Sequence, residues 1–133
     1  MNLVLAPGLL DRMIEHAKQK YPQEACGLLV GHDSAERFIA MDNALASSTA
    51  YEIDPAQLIS VLRDLRSEGE RLVAIYHSHP RGPARPSATD IERAYYTEAA
   101  HLIISLADLE RPQAAAFRII DGEALEIEVH AIV

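Results

Sequence analysis

The sequence is short of several features that mark particular classes of protein. It has no tryptophan, two phenylalanines and a single cysteine among 133 residues. One cysteine cannot form an internal disulfide, so a reducing compartment, the cytoplasm, is predicted. The sequence has no run of about 18 apolar residues, the length needed to span a membrane, and no basic and apolar segments of a secretory signal at its start. We therefore expect no association with a membrane.

Positive charge is also scarce. The chain has 12 Lys and Arg against 20 Asp and Glu, which gives a net charge of −8. A nucleic acid is not an expected partner, because the sequence has no basic patch that could release phosphate counterions. Hydrophobic residues make up 49% of the chain and can form one aliphatic core. We expect residues 1–133 to form a single domain, since this length is close to the commonest domain size.

Helices and strands alternate along the chain. Pro7 suits a first helical turn, and Asp54-Pro55-Ala56-Gln57 combines an N-cap acid with a helix-starting proline, so helices are predicted near 7–20 and 55–68. Apolar runs predict strands at 3–5, 27–31, 37–41, 71–76, 101–106, 114–120 and 125–129. Asp121-Gly122 predicts a hairpin between the last two strands. This pattern predicts an α/β protein of the α+β type, with a mixed sheet flanked by helices.

The clearest chemical signal is Tyr76-His77-Ser78-His79-Pro80, at the end of a predicted strand. Side chains two residues apart in a strand share a face, so His77 and His79 can meet on one ion while Ser78 points away. The stiff, proline-rich segment that follows can return the Asp90 carboxylate to the same place. Two imidazoles and a carboxylate suit zinc and leave a fourth position for water. We expect one Zn²⁺ per chain, bound by His77, His79 and Asp90.

Glu24 is a candidate general base. It opens a strand that should lie beside the strand carrying His77. A carboxylate there could take a proton from the water and return it to a leaving amine. Considered alone, Glu24 could equally be a surface residue at a strand end.

Ser87 stands three residues before Asp90, which is the spacing of an N-cap serine and an acid at the third helical position. A short helix is therefore predicted to start there, with Ile91, Ala94 and Tyr95 on its inner face. Capping alone would explain Ser87. Its hydroxyl could also donate to an oxyanion that forms at the metal.

The other histidines and the cysteine lack a comparable pattern. His16 is predicted on the exposed side of the first helix, His32 in a turn, His101 at a strand start and His130 near the C-terminus. None pairs with a second ligand, so none is predicted to bind metal. Cys26 is two residues from Glu24 and should point to the same face of the strand, but it is predicted to be an inert, buried thiol.

These residues together resemble a known signature. Glu24, then His77-Ser78-His79-Pro80, then Ser87 and Asp90 are similar to the complete motif of the JAMM, or MPN-plus, metalloproteases. The stretch 22–31 is similar to the opening strand of that family, and the helices and the metal-bearing strand follow in the family's order. The resemblance implies an MPN/JAB-like fold, a mostly antiparallel, curved sheet with a layout similar to that of cytidine deaminases.

The resemblance also implies the role of each residue. In that family the two histidines and the aspartate bind zinc, here His77, His79 and Asp90. The glutamate is general acid and base, here Glu24, and the serine stabilises the tetrahedral intermediate, here Ser87. The chain is similar to compact, stand-alone prokaryotic members. That similarity implies a zinc-dependent (iso)peptidase that hydrolyses the bond after the C-terminal Gly-Gly of ubiquitin-like or sulfur-carrier proteins.

Two other classes of protein remain open. A non-catalytic scaffold or interaction module of the same fold would have lost ligands, whereas this chain retains all five polar residues; zinc content separates the two. A zinc nucleobase deaminase needs a His-x-Glu segment and a Cys-x-x-Cys pair, which a single cysteine cannot supply. A His-Glu-x-x-His protease is excluded because that string does not occur.

Overall fold

Ten helices and strands follow one another along residues 2–133, the part of the chain that this computed structural model describes. They are β1 (Asn2–Leu5), α1 (Leu9–Lys20), β2 (Cys26–Gly31), β3 (Arg37–Met41), α2 (Pro55–Ser67), β4 (Arg71–His79), α3 (Ala88–Glu92), β5 (Ala100–Ser105), β6 (Gln113–Ile120) and β7 (Glu123–Ala131). None of these described helices is long and apolar enough to cross a membrane.

The strands form one seven-stranded sheet in the order β1-β7-β6-β5-β4-β2-β3. Four neighbouring pairs are antiparallel, while β1 with β7 and β4 with β5 are parallel. The hairpin between β6 and β7 turns at Asp121 and Gly122, whose φ angles are 52° and 77°. The predicted fold class, a mixed and mostly antiparallel sheet flanked by helices, is confirmed.

Helix α1 covers one face of the sheet. Its buried side chains, Leu9, Met13 and Ala17, pack in one cluster with Tyr76 of β4. Complete burial of a side chain such as Met13 stabilises the fold by about 1.5–3 kcal/mol. The helix begins two residues later than the predicted start at 7, because Gly8 takes a left-handed conformation with φ 77° and acts as its N-cap.

Helix α2 covers the opposite face. Asp54 caps it by accepting a hydrogen bond from the backbone N–H of Gln57 (3.2 Å), and Pro55 is its first residue, as the sequence predicts. Leu65 of α2 packs against Ile75 of β4 in a second buried cluster. Strand β4 therefore contributes to both cores, with alternate side chains pointing to opposite faces.

Helix α3 is a single short turn that joins β4 to β5. Ile91 packs from the inner face of α3 against a buried cluster of the sheet, as predicted, and Ala94 packs against the same cluster from just beyond the end of the helix. The prediction for Tyr95 is wrong, since its side chain is 79% exposed. The helix ends at Glu92 with Arg93 as its C-cap, so it is too short to bring Tyr95 to its inner face.

Candidate active site

The last residues of β4 place two imidazoles on the α2 side of the sheet. His77 and His79 are buried, with 1% and 7% of their surfaces exposed, and their Nε2 atoms lie 3.1 Å apart. Ser78 points to the other face, where its Oγ accepts a hydrogen bond from the backbone N–H of Ala25 (2.8 Å). Strand parity thus separates the histidines from the serine, as the sequence predicts.

The proline-rich loop after β4 brings Asp90 to the two histidines. Asp90 Oδ2 lies 3.1 Å from His77 Nε2 and 3.0 Å from His79 Nε2. The same oxygen accepts a hydrogen bond from the backbone N–H of Ser87 (2.9 Å), while Ser87 Oγ accepts one from the N–H of Asp90 (3.0 Å). This reciprocal capping box fixes the aspartate at the start of α3.

The charge state of Asp90 follows from these contacts. Burial opposes its ionisation, but the hydrogen bonds from His77 and His79 outweigh burial and hold the pKa of this carboxyl well below its usual range. His79 Nδ1 lies 2.8 Å from the carbonyl oxygen of Pro83 and must donate to it, because a carbonyl only accepts. When His79 is protonated, its Nε2–H donates to Asp90; when His79 is neutral, the Nε2 that faces Asp90 is a bare lone pair.

This arrangement fits a metal cation. With His79 neutral, two acceptors, His79 Nε2 and Asp90 Oδ2, face each other at 3.0 Å, so a proton or a metal cation must lie between them. Tetrahedral zinc with bonds of about 2.0–2.1 Å holds its ligand atoms about 3.3 Å apart, close to the separations of 3.0–3.1 Å here. The three side chains supply the nitrogen and oxygen donors that zinc binds in catalytic sites.

Glu24 lies next to this triangle. Donor atoms of Glu24, His77 and His79 all lie within 4.8 Å of one another. Glu24 is 4% exposed, and its Oε1 has no hydrogen-bond partner among the described residues. Burial raises the pKa of this carboxyl to about 7, against the opposing charge of His79. Because Asp90 contacts both nitrogens at 3.0–3.1 Å, we take Asp90 rather than Glu24 as the third donor.

The backbone of Glu24 is held by a loop whose role the sequence did not predict. Its N–H donates to the carbonyl of Ser47 (2.8 Å), and its carbonyl accepts from Asn43 Nδ2 (3.1 Å). The same Asn43 amide group bonds the carbonyl of Ala50 (3.0 Å). Residues 43–50 thus anchor the candidate base, although they have no periodicity that would reveal it.

A cavity of about 510 Å³ adjoins the cluster. Asp90 and Tyr51 form part of its wall, and the Tyr51 ring stacks on His77 with the centroids 4.4 Å apart and the planes at 22°. His101 also lines this cavity and is 4% exposed, with Nε2 lacking a partner among residues 2–133. The sequence located His101 only at a strand start. Its place becomes apparent once β5 is paired with β4.

Two other residues can now be placed. The prediction for His16 is wrong: its ring is half-buried, with Nδ1 3.3 Å from the Tyr76 hydroxyl and its edge against Phe38. The buried side of helix α1 is therefore wider than the positions of its aliphatic residues predict. Cys26 is fully buried, and burial raises the pKa of its thiol to about 12, so it is a protonated thiol at neutral pH.

Comparison with known proteins assigns a family. The family model described as prokaryotic homologs of the JAB domain matches residues 6–120. The CysO-cysteine peptidase of Mycobacterium tuberculosis is 37% identical over 133 residues, which cover 98% of this chain and 91% of that protein. The desampylase of Haloferax volcanii is 38% identical over 112 residues, covering 78% of this chain and 81% of that protein.

The fold agrees with this assignment. The solution structure of a protein from Desulfitobacterium hafniense matches with a TM-score of 0.88 and 34% identity, covering 99% of this chain and 93% of that one. The chain therefore belongs to the family of prokaryotic JAB-domain proteins.

Proposed function

We propose that this protein is a zinc-dependent hydrolase that cleaves the bond after the C-terminal Gly-Gly of a ubiquitin-like or sulfur-carrier protein. The observation that carries the proposal is the triangle of His77 Nε2, His79 Nε2 and Asp90 Oδ2, with the buried Glu24 carboxyl beside it. Relatives named CysO-cysteine peptidase and desampylase support the same reaction class.

His77, His79 and Asp90 are the proposed zinc ligands. Zinc held by them would supply Lewis acidity, which makes water a nucleophile at neutral pH and polarises the scissile carbonyl. Hydrogen bonds within the protein orient two of these ligands without a metal. The Pro83 carbonyl orients His79, and the Ser87 N–H orients the Asp90 carboxylate.

Glu24 is the proposed general base and acid. Its carboxyl takes a proton from the attacking water and returns it to the leaving amine. A pKa near 7, raised by burial, suits a group that must both accept and release a proton at neutral pH. Its Oε1 is available for this role, because no described residue bonds it.

Ser87 is the proposed oxyanion donor. Its Oγ accepts the N–H of Asp90, so the hydroxyl proton remains free to donate. The serine is exposed and adjacent to the ligand Asp90, where a substrate carbonyl can reach it. A diglycine tail suits this position, since glycine has no Cβ to obstruct a close approach of its backbone.

Two further proposals concern the whole chain. We propose that residues 1–133 act as one domain, supported by a single sheet that includes both β1 and β7. We also propose that the protein works in the cytoplasm, supported by its single cysteine.

Intact-mass analysis tests the proposed reaction. A diglycine carrier extended by one residue is incubated with the zinc-loaded protein, and the expected result is loss of that residue alone. The Glu24→Gln variant is the matched control and should leave the carrier intact. No loss from any diglycine carrier, together with efficient cleavage of unstructured peptides, would contradict the proposed substrate. No cleavage of either substrate would favour a non-catalytic scaffold.

A further inference from the structure

The two histidines of the site differ at their second ring nitrogen. His79 Nδ1 donates to the carbonyl of Pro83 at 2.8 Å. His77 Nδ1 is buried and has no hydrogen-bond partner among residues 2–133. A metal-binding imidazole almost always gives its other N–H to a carboxylate, a carbonyl or a water, and this partner fixes the tautomer. His77 thus lacks the partner that His79 has.

A second buried nitrogen without a partner lies on the neighbouring strand. It is His101 Nε2, and the His101 side chain is 4% exposed. In the parallel pairing of β4 with β5, Ile75 lies opposite His101 and His77 lies opposite Ile103. His101 and His77 are therefore diagonal neighbours on one face of the sheet.

The spacing and chemistry suit a single bridging water. Diagonal neighbours in a sheet have backbones about 7–8 Å apart, so two rings on one face are close enough to share one water. A buried water makes about three hydrogen bonds to groups that otherwise lack partners. Burial lowers the pKa of His101 to about 4, so its ring is neutral at neutral pH and one of its nitrogens can accept.

We propose that His101 is a positioning residue for His77, joined to it by one buried water. The water accepts the N–H of His77 Nδ1 and donates to His101 Nε2. These two hydrogen bonds keep the proton of His77 on Nδ1 and leave Nε2 as a lone pair directed at the metal position. His101 thereby does for His77 what the Pro83 carbonyl does for His79. The inference rests on the proposed zinc site.

Zinc affinity, measured by competition with a chelator, tests the inference. His101→Leu removes the acceptor and should weaken zinc binding about 10–100-fold. His101→Gln retains a polar group that can accept and should remain within a few-fold of the wild-type affinity. His16→Leu, which changes a histidine on the opposite face, should leave the affinity unchanged. Equal affinities for wild type and His101→Leu would overturn the inference, as would equal weakening by Leu and Gln.

Stability measured with and without zinc separates this role from a structural one. A purely structural histidine would make His101→Leu less stable than the wild type by the same amount with and without zinc. We expect a larger loss with zinc bound, because weaker zinc binding adds to it. If His101→Leu does not fold, nitrogen-15 NMR of the zinc-loaded wild type decides: His101 Nε2 is expected to carry no proton, because it accepts from the water, and a proton there would overturn the inference. Failure of the wild type to bind zinc would instead contradict the proposed function.

Discussion

The two faces of the sheet differ in whether certain buried polar groups have hydrogen-bond partners within the protein. On the α1 face, the Tyr76 hydroxyl donates to the carbonyl of Met13 (3.2 Å), and Ser78 Oγ accepts from a backbone N–H. On the α2 face, Glu24 Oε1, His77 Nδ1 and His101 Nε2 are buried without a partner among the described residues. Both faces use the same strand, since Tyr76 and His77 are consecutive residues of β4.

This difference shows which face is built for stability and which for chemistry. A buried polar group without a partner costs about 1–3 kcal/mol, so a fold retains several only where something else satisfies them. On the α1 face, the Tyr76 hydroxyl and Ser78 Oγ both have partners within the protein. We propose that the α2 face binds a metal and a buried water, so substitutions on the two faces should have different consequences.

The largest effect is expected at Glu24. A glutamine in its place keeps the shape of the side chain but cannot take a proton, so turnover should fall about 10²–10⁴-fold. Zinc should be retained, because the proposed ligands are His77, His79 and Asp90. Steady-state kinetics and metal analysis on the same sample check both, with Glu15→Gln on α1 as the control that keeps turnover. Loss of zinc from Glu24→Gln would make Glu24 a ligand and contradict its assignment as the base.

A smaller effect is expected at Ser87. Ser87→Ala removes one oxyanion donor and should lower kcat about 10²–10³-fold. It also removes the cap of α3, at a cost of about 1 kcal/mol in folding stability. Ser87→Thr retains the hydroxyl and should therefore keep most of the kcat and most of the folding stability. Full activity in Ser87→Ala would show that capping is the whole role of this serine.

The pH dependence of stability should also reflect the α2 face. In the metal-free protein, burial lowers the pKa of His101 from 6.5 to about 4. Between these values the unfolded chain binds a proton that the folded chain does not, so acidification should cost up to about 3 kcal/mol of unfolding free energy. Urea unfolding at several pH values should show that His101→Gln loses less unfolding free energy on acidification than the wild type does. An equal loss in both proteins would contradict the burial of a neutral His101.

The smallest effect is expected on the α1 face. Tyr76→Phe removes the hydrogen bond to Met13 and should lower the unfolding free energy by about 1 kcal/mol. Zinc content and turnover should not change, although the substituted residue is the neighbour of His77 in sequence. Urea unfolding measures the change in unfolding free energy, and metal analysis measures the zinc content. Loss of zinc from Tyr76→Phe would mean that the faces are not independent.

Local signals account for the elements that the sequence predicts well. Asp54 and Pro55 start α2 where expected, and Asp121-Gly122 forms the last hairpin. Strand parity likewise places His77 and His79 on one face. These signals are carried by neighbouring residues, so they do not depend on how distant parts of the chain pack.

Other features depend on contacts between distant residues, which the sequence does not reveal. His101 becomes a neighbour of His77 only through the parallel register of β5 on β4. The burial of His16 depends on how α1 lies over Tyr76, which is 60 residues away in sequence. The exposure of Tyr95 follows from the early end of α3.

Zinc content shows whether the α2 face binds a metal. Metal analysis is made on wild type, His77→Ala, Asp90→Ala and Tyr76→Phe, each purified in the same way. We expect one zinc per chain in wild type and Tyr76→Phe and none in His77→Ala or Asp90→Ala. Stoichiometric zinc in both alanine variants, or its absence from the wild type, would contradict this expectation.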